Sequence, residues 1–221
     1  MSRDMGRPKL HGPETRAELL RKAGDLVTRD GPEALSIRGL AREVGTSTRA
    51  VYSLFGNKDG LLDALYRESY LALIETLKAL PLTKDPEADL LRAAIDGFRR
   101  YAVENPHLFR LAFERVVARA NPKLDDLPVR LEARALLRTR VQRCIDAGLF
   151  ADRPAELVVN EFHAFCQGLA SIELRGWLRD ESDPALVWRD ALSALLTGLN
   201  KPKRPIISGR AASGSRTSRR A

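Results

Sequence analysis

The sequence contains few of the residues from which metal and catalytic centres are built. Its 221 residues include only two cysteines and three histidines, and none of them has a partner at metal-ligand or redox spacing. These residues are Cys144, Cys166, His11, His107 and His163. The sequence also lacks a Gly-rich phosphate loop, a nucleophile elbow and an HExxH motif. We therefore expect no metal, no cofactor and no enzyme activity, and unpaired thiols fit a reducing cytoplasm.

Long apolar runs are missing as well. No segment approaches the roughly 20 apolar residues that a membrane-spanning helix requires. The opening residues, MSRDMGRPKLHG, contain no apolar core of a secretory signal. The sequence thus predicts a soluble cytoplasmic protein with no membrane association.

Acidic residues are absent from one end of an otherwise balanced chain. Residues 200–221 carry seven Lys or Arg and no Asp or Glu, which places most of the net charge of +8 there. Residues 57–199, with 20 basic and 22 acidic side chains, are nearly neutral. We expect a flexible basic arm at residues 1–13 and a disordered basic tail at 201–221, both able to meet phosphate. A solvated end without DNA contact is the alternative for the arm.

Helical periodicity and helix-start signals run through the middle of the chain. Thr15 and Glu18 have the spacing of a capping box, and an Asp-Gly-Pro sequence ends the helix that they begin. Later helix starts are marked by an acid or amide beside a proline, as at Asp85 and Asp183. No strand-like alternation intervenes. The pattern predicts an all-α protein.

The segment SIRGLAREVGTSTRAVYSLFGNK carries the most specific pattern. Ala41, Gly45 and Val51 fall at the offsets of a helix-turn-helix. They supply a small residue where two helices cross, a glycine in a left-handed turn, and an apolar residue that closes the crossing. Ser36 and Ser47 are predicted to cap the two helices. The pattern indicates a DNA-reading unit.

The polar side chains of this unit should face DNA. Arginine can contact guanine through two hydrogen bonds, hydroxyls can bond phosphates or base edges, and amides at a helix N-terminus attract phosphate. Taken singly, each is an ordinary exposed residue, but together with the packing pattern they indicate DNA contact. The predicted DNA-binding residues are Ser36, Arg38, Thr46, Ser47, Thr48, Arg49, Tyr52, Ser53 and Lys58.

The longer segment ALSIRGLAREVGTSTRAVYSLFGNKDGLLDAL resembles the DNA-binding domain of TetR-family transcriptional regulators. The resemblance implies DNA contacts at four positions, Thr48, Arg49, Tyr52 and Lys58. Gly60 departs from the acidic residue often found at its position. The family's fold implies an N-terminal three-helix helix-turn-helix domain at residues 14–58. It implies a C-terminal helical ligand-binding and dimerisation domain at 59–200.

The second half of the chain resembles one subclass of that family. AVENPHLFRLAFE and FHAFCQGLASIELRG are similar to a C-terminal domain named for a Trp-His-Gly motif. His163 stands where the tryptophan would be, and Gln167 replaces the histidine before Gly168. No role of those motif residues can therefore be transferred to this chain.

The resemblance implies a homodimer in which the last two helices pair with those of a second copy. The apolar residues offered for that pairing are Leu157, Phe162, Phe165, Leu169, Ile172, Leu192, Leu195, Leu196 and Leu199. A core within one protomer is the alternative for this apolar set. Ala164 and Gly168 would permit close approach of two helices. Readers of symmetric half-sites are commonly dimeric, which favours the homodimer.

An apolar and aromatic set with few polar groups is expected to form an effector pocket, although ordinary core packing is the alternative for each member. The candidate pocket residues are Phe98, Tyr101, Phe109, Phe113, Leu137, Val141, Phe162, Phe165 and Cys166. The matching effector would be a small hydrophobic or aromatic molecule with one or two polar groups.

These observations predict a DNA-binding transcriptional regulator, a repressor released from a palindromic operator by a small ligand. The repressor role rests on the family resemblance. One rival is a helical small-molecule-binding protein or enzyme with a vestigial reading domain, which would act without DNA and have a polar, titratable pocket. Another is nonspecific nucleic-acid binding through the tail, which would show equal affinity for random duplexes.

Overall fold

The computed structural model describes residues 12–114, 128–150, 153–178 and 183–201. Residues 1–11 and 202–221, which hold most of the predicted basic arm and tail, lie outside the described residues. Within the described ranges all regular structure is helical, as the sequence predicts. None of the described helices is long and apolar enough to cross a membrane.

The described ranges contain ten α-helices, with a short 3₁₀ turn after the first and a π-helical segment after the fifth. They are α1 (Pro13–Asp30), α2 (Ile37–Val44), α3 (Thr48–Phe55), α4 (Lys58–Lys78), α5 (Pro86–Arg92), α6 (Arg100–Glu104), α7 (Pro106–Phe113), α8 (Pro128–Asp146), α9 (Ala155–Leu174) and α10 (Pro184–Leu199). The π-helical segment, Ala93–Arg99, joins α5 to α6 without a break. Helices α1 to α3 form the reading unit, and α4 leads from it into the other helices.

The helix boundaries follow from local chemistry that the sequence displays. The Asn57 side chain accepts a hydrogen bond from Gly60 N at 2.8 Å and so begins α4. The capping box predicted at Thr15 and Glu18 does not begin the first helix. The helix begins at Pro13, and its N-cap is Gly12, which has no side chain to cap it. Proline at the first helical position needs no amide partner, so the helix starts before Thr15 and needs no capping box.

The leucine face of α10 packs inside the protomer. Leu192 is fully buried, and Leu196 and Leu199 are at most 4% exposed. Helical periodicity shows that these residues share a face, but it cannot show whether that face meets its own protomer or a second copy. These three leucines therefore belong to the core of one protomer, which was the alternative to dimer pairing. They are not on the exposed side of α10.

A buried carboxylate fastens the loop after α4 to the helices that follow. Asp89 accepts hydrogen bonds from Thr83 N at 2.7 Å, from Arg92 Nη1 at 2.7 Å and from Arg143 Nη1 at 2.6 Å. Burial opposes ionisation, but the hydrogen bonds from Arg143, Thr83 and Arg92 hold the pKa of Asp89 well below its ordinary value. The ionised carboxylate thus stabilises the fold.

We expect Asp89→Asn to lower the free energy of unfolding by about 1–3 kcal/mol, since both guanidiniums keep partial contact with water. Because the folded-state pKa is depressed, this stabilisation is complete above the unfolded pKa of about 4 and is lost as pH falls below it. Urea unfolding of wild type and variant, at several pH values from neutral to acidic, measures the difference in their free energies of unfolding. A difference that stays constant down to the lowest pH would contradict the role of ionised Asp89.

Candidate DNA-reading surface and effector cavity

Helices α2 and α3 of the reading unit are held at a fixed angle by the turn between them. Ser36 Oγ accepts a hydrogen bond from Gly39 N at 3.3 Å, and Ser47 Oγ accepts one from Ala50 N at 3.1 Å. Gly45 adopts a left-handed conformation with φ of 73°, where a side chain would be strained. Thr46 N, just beyond it, donates to Ala41 O at 2.8 Å. These bonds fix the angle at which α3 leaves α2.

The inner face of α3 is buried while its polar residues face solvent. Ala50 and Val51 have no exposed surface, and Phe55 is 9% exposed. Tyr52 is 53% exposed although it is a large ring, and Arg49 is also exposed. Ser53 is exposed, Thr48 is half-buried at the first position of the helix, and the preceding Thr46 and Ser47 lie in the turn. The solvent-facing side of α3 thus carries a guanidinium, a phenol and hydroxyls, which are groups that can bond phosphates and base edges.

Two cationic residues flank this helix. Arg38 is exposed on α2. Lys58 is half-buried at the start of α4, and its Nζ donates to Glu33 O at 3.4 Å. In the described part of the chain, Arg38, Arg49 and Tyr52 make no intramolecular hydrogen bond or ion pair. Their donors are therefore available to phosphates and base edges.

A cavity of about 420 Å³ lies among α4, the π-helical segment, α7, α8 and α9. This volume suits a small organic ligand. The cavity-lining residues are Tyr66, Tyr70, Leu73, Leu77, Ala93, Ala94, Phe98, Ala112, Phe113, Arg130, Leu131, Ala133, Arg134, Leu137, Arg140, Asn160, Phe162, His163, Cys166 and Gln167. The wall thus combines an aromatic part with several polar groups.

Five of the residues predicted from sequence line the cavity: Phe98, Phe113, Leu137, Phe162 and Cys166. The other four, Tyr101, Phe109, Val141 and Phe165, do not. Of those four, three have no exposed surface and the fourth packs half-buried against the core. Apolar periodicity finds the inward side of a helix but does not distinguish a cavity wall from filled core.

The sequence interpretation missed most of the polar groups in the wall. It expected few interior charges, yet Arg130, Arg134 and Arg140 of α8 all line the cavity. They were not selected because charged residues interrupt the apolar stripe that marks an inward face. Arg130 and Arg134 are four residues apart, and Leu137 lies three residues from both Arg134 and Arg140. These helical spacings are the signal that could have revealed the arginines.

The electrostatic environment of the cavity is positive. Burial, then the nearby charges of Arg134 and Arg130, lower the pKa of His163, so its ring is neutral at pH 7. Burial also lowers the pKa of Arg140. Gln167 Nε2 donates to Phe113 O at 2.7 Å and thereby ties α9 to α7 beside the cavity.

The cysteines have the properties of core residues. Burial raises the pKa of the Cys144 thiol to about 11 and moves that of Cys166 in the same direction. Both thiols are therefore protonated at neutral pH and are weak nucleophiles. Within the ranges that the structure describes, no three His, Cys, Asp or Glu side chains are grouped as metal ligands.

Two helices connect the cavity to the reading unit. Helix α4 begins beside α3 and lines the cavity with Tyr66 and Leu77. Helix α7 lines the cavity with Phe113, while near its other end His107 O accepts a hydrogen bond from Thr28 Oγ1 of α1 at 3.3 Å. A change in cavity shape can therefore reach the reading unit by two routes.

A capped helix-turn-helix with an exposed polar helix, joined by a long helix to an all-helical domain, defines a DNA-binding transcriptional regulator. Residues 19–65 match the family described as bacterial regulatory proteins, tetR family. Residues 91–195 match the tetracyclin repressor-like C-terminal domain. The regulator BetI of Vibrio parahaemolyticus is 33% identical over 183 residues, which cover 80% of this chain and 86% of that protein. The chain belongs to the tetR family.

Solved structures show the same architecture. A protein of unknown function from Rhodococcus sp. RHA1 is 25% identical, with a TM-score of 0.71 over 88% of this chain and 100% of that one. The TetR family regulator PfmR of Thermus thermophilus is 23% identical, with a TM-score of 0.64 over 83% of this chain and 99% of that one. The predicted family and fold class are thus confirmed. The resemblance to the Trp-His-Gly subclass stays a prediction.

Proposed function

We propose that this regulator is a homodimeric repressor, without a catalytic step, that leaves a palindromic operator when a small molecule enters the cavity. The exposed polar face of α3 is the observation that carries the DNA-binding part of the proposal, since its side chains have no other described role. We also propose the division of labour predicted from the sequence. Residues 14–58 read DNA, residues 59–200 bind effector and partner, and the basic ends at 1–13 and 201–221 add phosphate attraction.

The DNA contacts follow from the chemistry of the exposed groups. Arg49 and Tyr52 contact base edges or phosphates from α3, with help from the hydroxyls of Thr46, Thr48 and Ser53. Ser36 and Ser47 already accept backbone hydrogen bonds as caps, so each can still donate its hydroxyl hydrogen to a phosphate. Arg38 and Lys58 contact the DNA backbone.

Dimerisation is assigned to the outward sides of α9 and α10. Regulators of this family bind operator DNA and act as dimers with small-molecule effectors. Ala164 and Gly168 are exposed one turn apart on α9, and Ala194 and Gly198 are exposed one turn apart on α10. A Cβ added at Gly168 or Gly198 would have no neighbour within 4 Å. Small residues in these positions allow helices of a second copy to approach closely.

Release from DNA requires a ligand that favours one arrangement of the two reading heads over another. An occupied cavity shifts α4 and α7 together, because both line it and both contact the reading unit. The shift changes the separation of the two α3 helices in the dimer. The ligand and operator then bind to different arrangements, and each weakens the binding of the other.

Selection of bound duplexes from a random pool tests the proposal. We expect one two-fold symmetric sequence to be enriched, and we expect small-molecule binding to lower affinity for it. Equal affinity for random duplexes would favour nonspecific binding through the tail. Turnover of a small molecule without DNA would favour the enzyme alternative.

Phe113→Trp should weaken the ligand's effect while leaving operator binding without ligand intact. Phe113 lies 5.2 Å from the ring centres of both Phe98 and Phe109, so a larger ring must expand into the cavity. The added volume costs about 1–3 kcal/mol of stability. Phe165→Trp is the matched control, because Phe165 lies outside the cavity wall. Ligand-dependent release measured by fluorescence anisotropy should be reduced only in Phe113→Trp, and equal responses of both variants would place the effector elsewhere.

A further inference from the structure

Arg140 is a buried cation, and no carboxylate among the described residues contacts it. The residue is 4% exposed and lines the cavity. Its Nη2 donates to Leu77 O at 3.0 Å and its Nη1 to Leu136 O at 3.2 Å. Its Nε has no hydrogen-bond partner among the described residues. Asp89 attracts this guanidinium from a distance but is already bonded to Arg92 and Arg143.

A buried, unneutralised guanidinium is costly unless a ligand completes its interactions. Removing a charge from water costs several kcal/mol, which carbonyl contacts compensate only in part. An unbonded buried N–H adds to that cost. Both costs fall if an anion enters the cavity and accepts from Nε.

The other residues of the cavity wall also favour a negatively charged ligand. None of the described residues that line the cavity is an aspartate or a glutamate, whereas three are arginines. Arg134 is paired with Glu156, whose Oε2 lies 2.6 Å from its Nη2, but Glu156 is not part of the wall. Arg130 and Arg134 are exposed, while Arg140 lies deeper on the same helix. The wall therefore carries basic side chains in both its exposed part and its buried part.

The aromatic part of the wall requires an apolar ligand surface instead. Phe98 and Phe113 pack at 5.2 Å between ring centres, and Phe162 lines the cavity beside them. These rings need an apolar partner rather than a hydrated ion. The ligand must therefore combine an apolar body with one acidic group.

We infer that the effector is an amphipathic organic acid whose carboxylate binds the Arg140 guanidinium while its apolar body packs against Phe98, Phe113 and Phe162. This inference rests on the proposed effector cavity and names the chemistry of its ligand. It excludes cations, because the described residues of the wall include no carboxylate. It also specifies the charge that the sequence-based expectation of a hydrophobic effector left open.

Calorimetry on the 221-residue chain without DNA tests the inference with three probes of equal chain length: decanoate, decanol and decyltrimethylammonium. A homologous series of straight-chain acids and phenyl-substituted acids covers other sizes. We expect the best acid to bind about ten- to a hundredfold more tightly than its alcohol, as charged hydrogen bonds do. The cation should bind more weakly than both. Equal or tighter binding of the cation, or no binding by any acid, would overturn the inference.

Three variants assign the preference to Arg140. Arg140→Met keeps most of the volume and should reduce the acid-over-alcohol preference to about threefold or less, whereas Arg140→Lys should retain part of it. Arg138→Met is the matched control, since Arg138 is exposed on the same helix and pairs with Glu156 outside the cavity. If Arg140 only capped the end of α4, the methionine variant would change thermal stability and keep the acid preference, which would overturn the assignment.

The effect on DNA is measured separately by anisotropy with the selected operator. Acids that bind in calorimetry but leave operator affinity unchanged would support the ligand chemistry and contradict release. Release by an alcohol or a cation, with no binding by acids, would support release and contradict the ligand chemistry. The two proposals therefore fail in distinguishable ways.

Discussion

Replacing both Arg49 and Tyr52 by alanine is expected to abolish operator recognition while leaving the fold and the dimer intact. Both side chains are exposed and neither has a described intramolecular partner, so the folded protomer loses nothing when they are truncated. Each contact to a base edge or a tightly held phosphate contributes on the order of 1–3 kcal/mol. The double variant should therefore lose roughly 2–6 kcal/mol if the two contributions add.

Competition between the selected operator and random duplex measures this loss. Arg100→Ala is the matched control, because Arg100 is an exposed arginine on α6, outside the reading unit. Circular dichroism and light scattering confirm that the variants keep their helices and oligomeric state. We expect the alanine variants to approach the affinity for random duplex, and the control to bind as wild type does. Wild-type operator affinity in the double variant would show that α3 is not the reading helix.

The reading unit could be predicted from sequence because its structure is determined locally. Ser36, Ser47 and Asn57 each bond an amide three residues away, and Gly45 sits in a left-handed turn whose conformation favours glycine. Short-range bonds of this kind depend on residue type and spacing, and both are visible in the sequence. The same locality explains why the exposed position of Arg49 could be predicted.

The cavity could be predicted only in part, because it depends on contacts between distant helices. Leu137 and Phe113 were identified by periodicity, but Arg140 was not. Its inward position becomes visible only when α4 supplies Leu77 O, 63 positions away in the chain. Tyr66 and Tyr70 were missed for a related reason. They lie on α4, and only the packing of α4 against α7 and α8 makes them part of the cavity wall.

Helix α4 links the proposed reading helix α3 to the cavity. Its first turn is fixed by Asn57 beside α3, and a Cβ at Gly60 would lie 2.1 Å from Phe55 O. The absence of a side chain there lets α4 begin in direct contact with the reading helix. The same helix carries Tyr66, Tyr70 and Leu77 into the cavity wall. We therefore expect a ligand that displaces these side chains to move the start of α4 against α3.

Gly168→Glu combined with Gly198→Glu should convert the protein into monomers. Both glycines are exposed, with room for a side chain in the isolated protomer. Glutamate is also a better helix former than glycine by up to about 1 kcal/mol, so the variant should fold as well as wild type. In a symmetric interface each new carboxylate is buried against the second copy, where an unpaired charge is strongly unfavourable.

Light scattering and sedimentation measure the oligomeric state, and Leu82→Glu is the control for adding a charge at an exposed site elsewhere. Monomers bind each half-site independently, so operator affinity should fall by about a hundredfold or more. Leu192→Glu distinguishes this result from a folding defect, since Leu192 is fully buried in the protomer and its charged variant should unfold at lower temperature. An intact dimer in the double glutamate variant would place the interface outside α9 and α10. A folded monomer that retains wild-type operator affinity would instead show that the operator is not read as two half-sites.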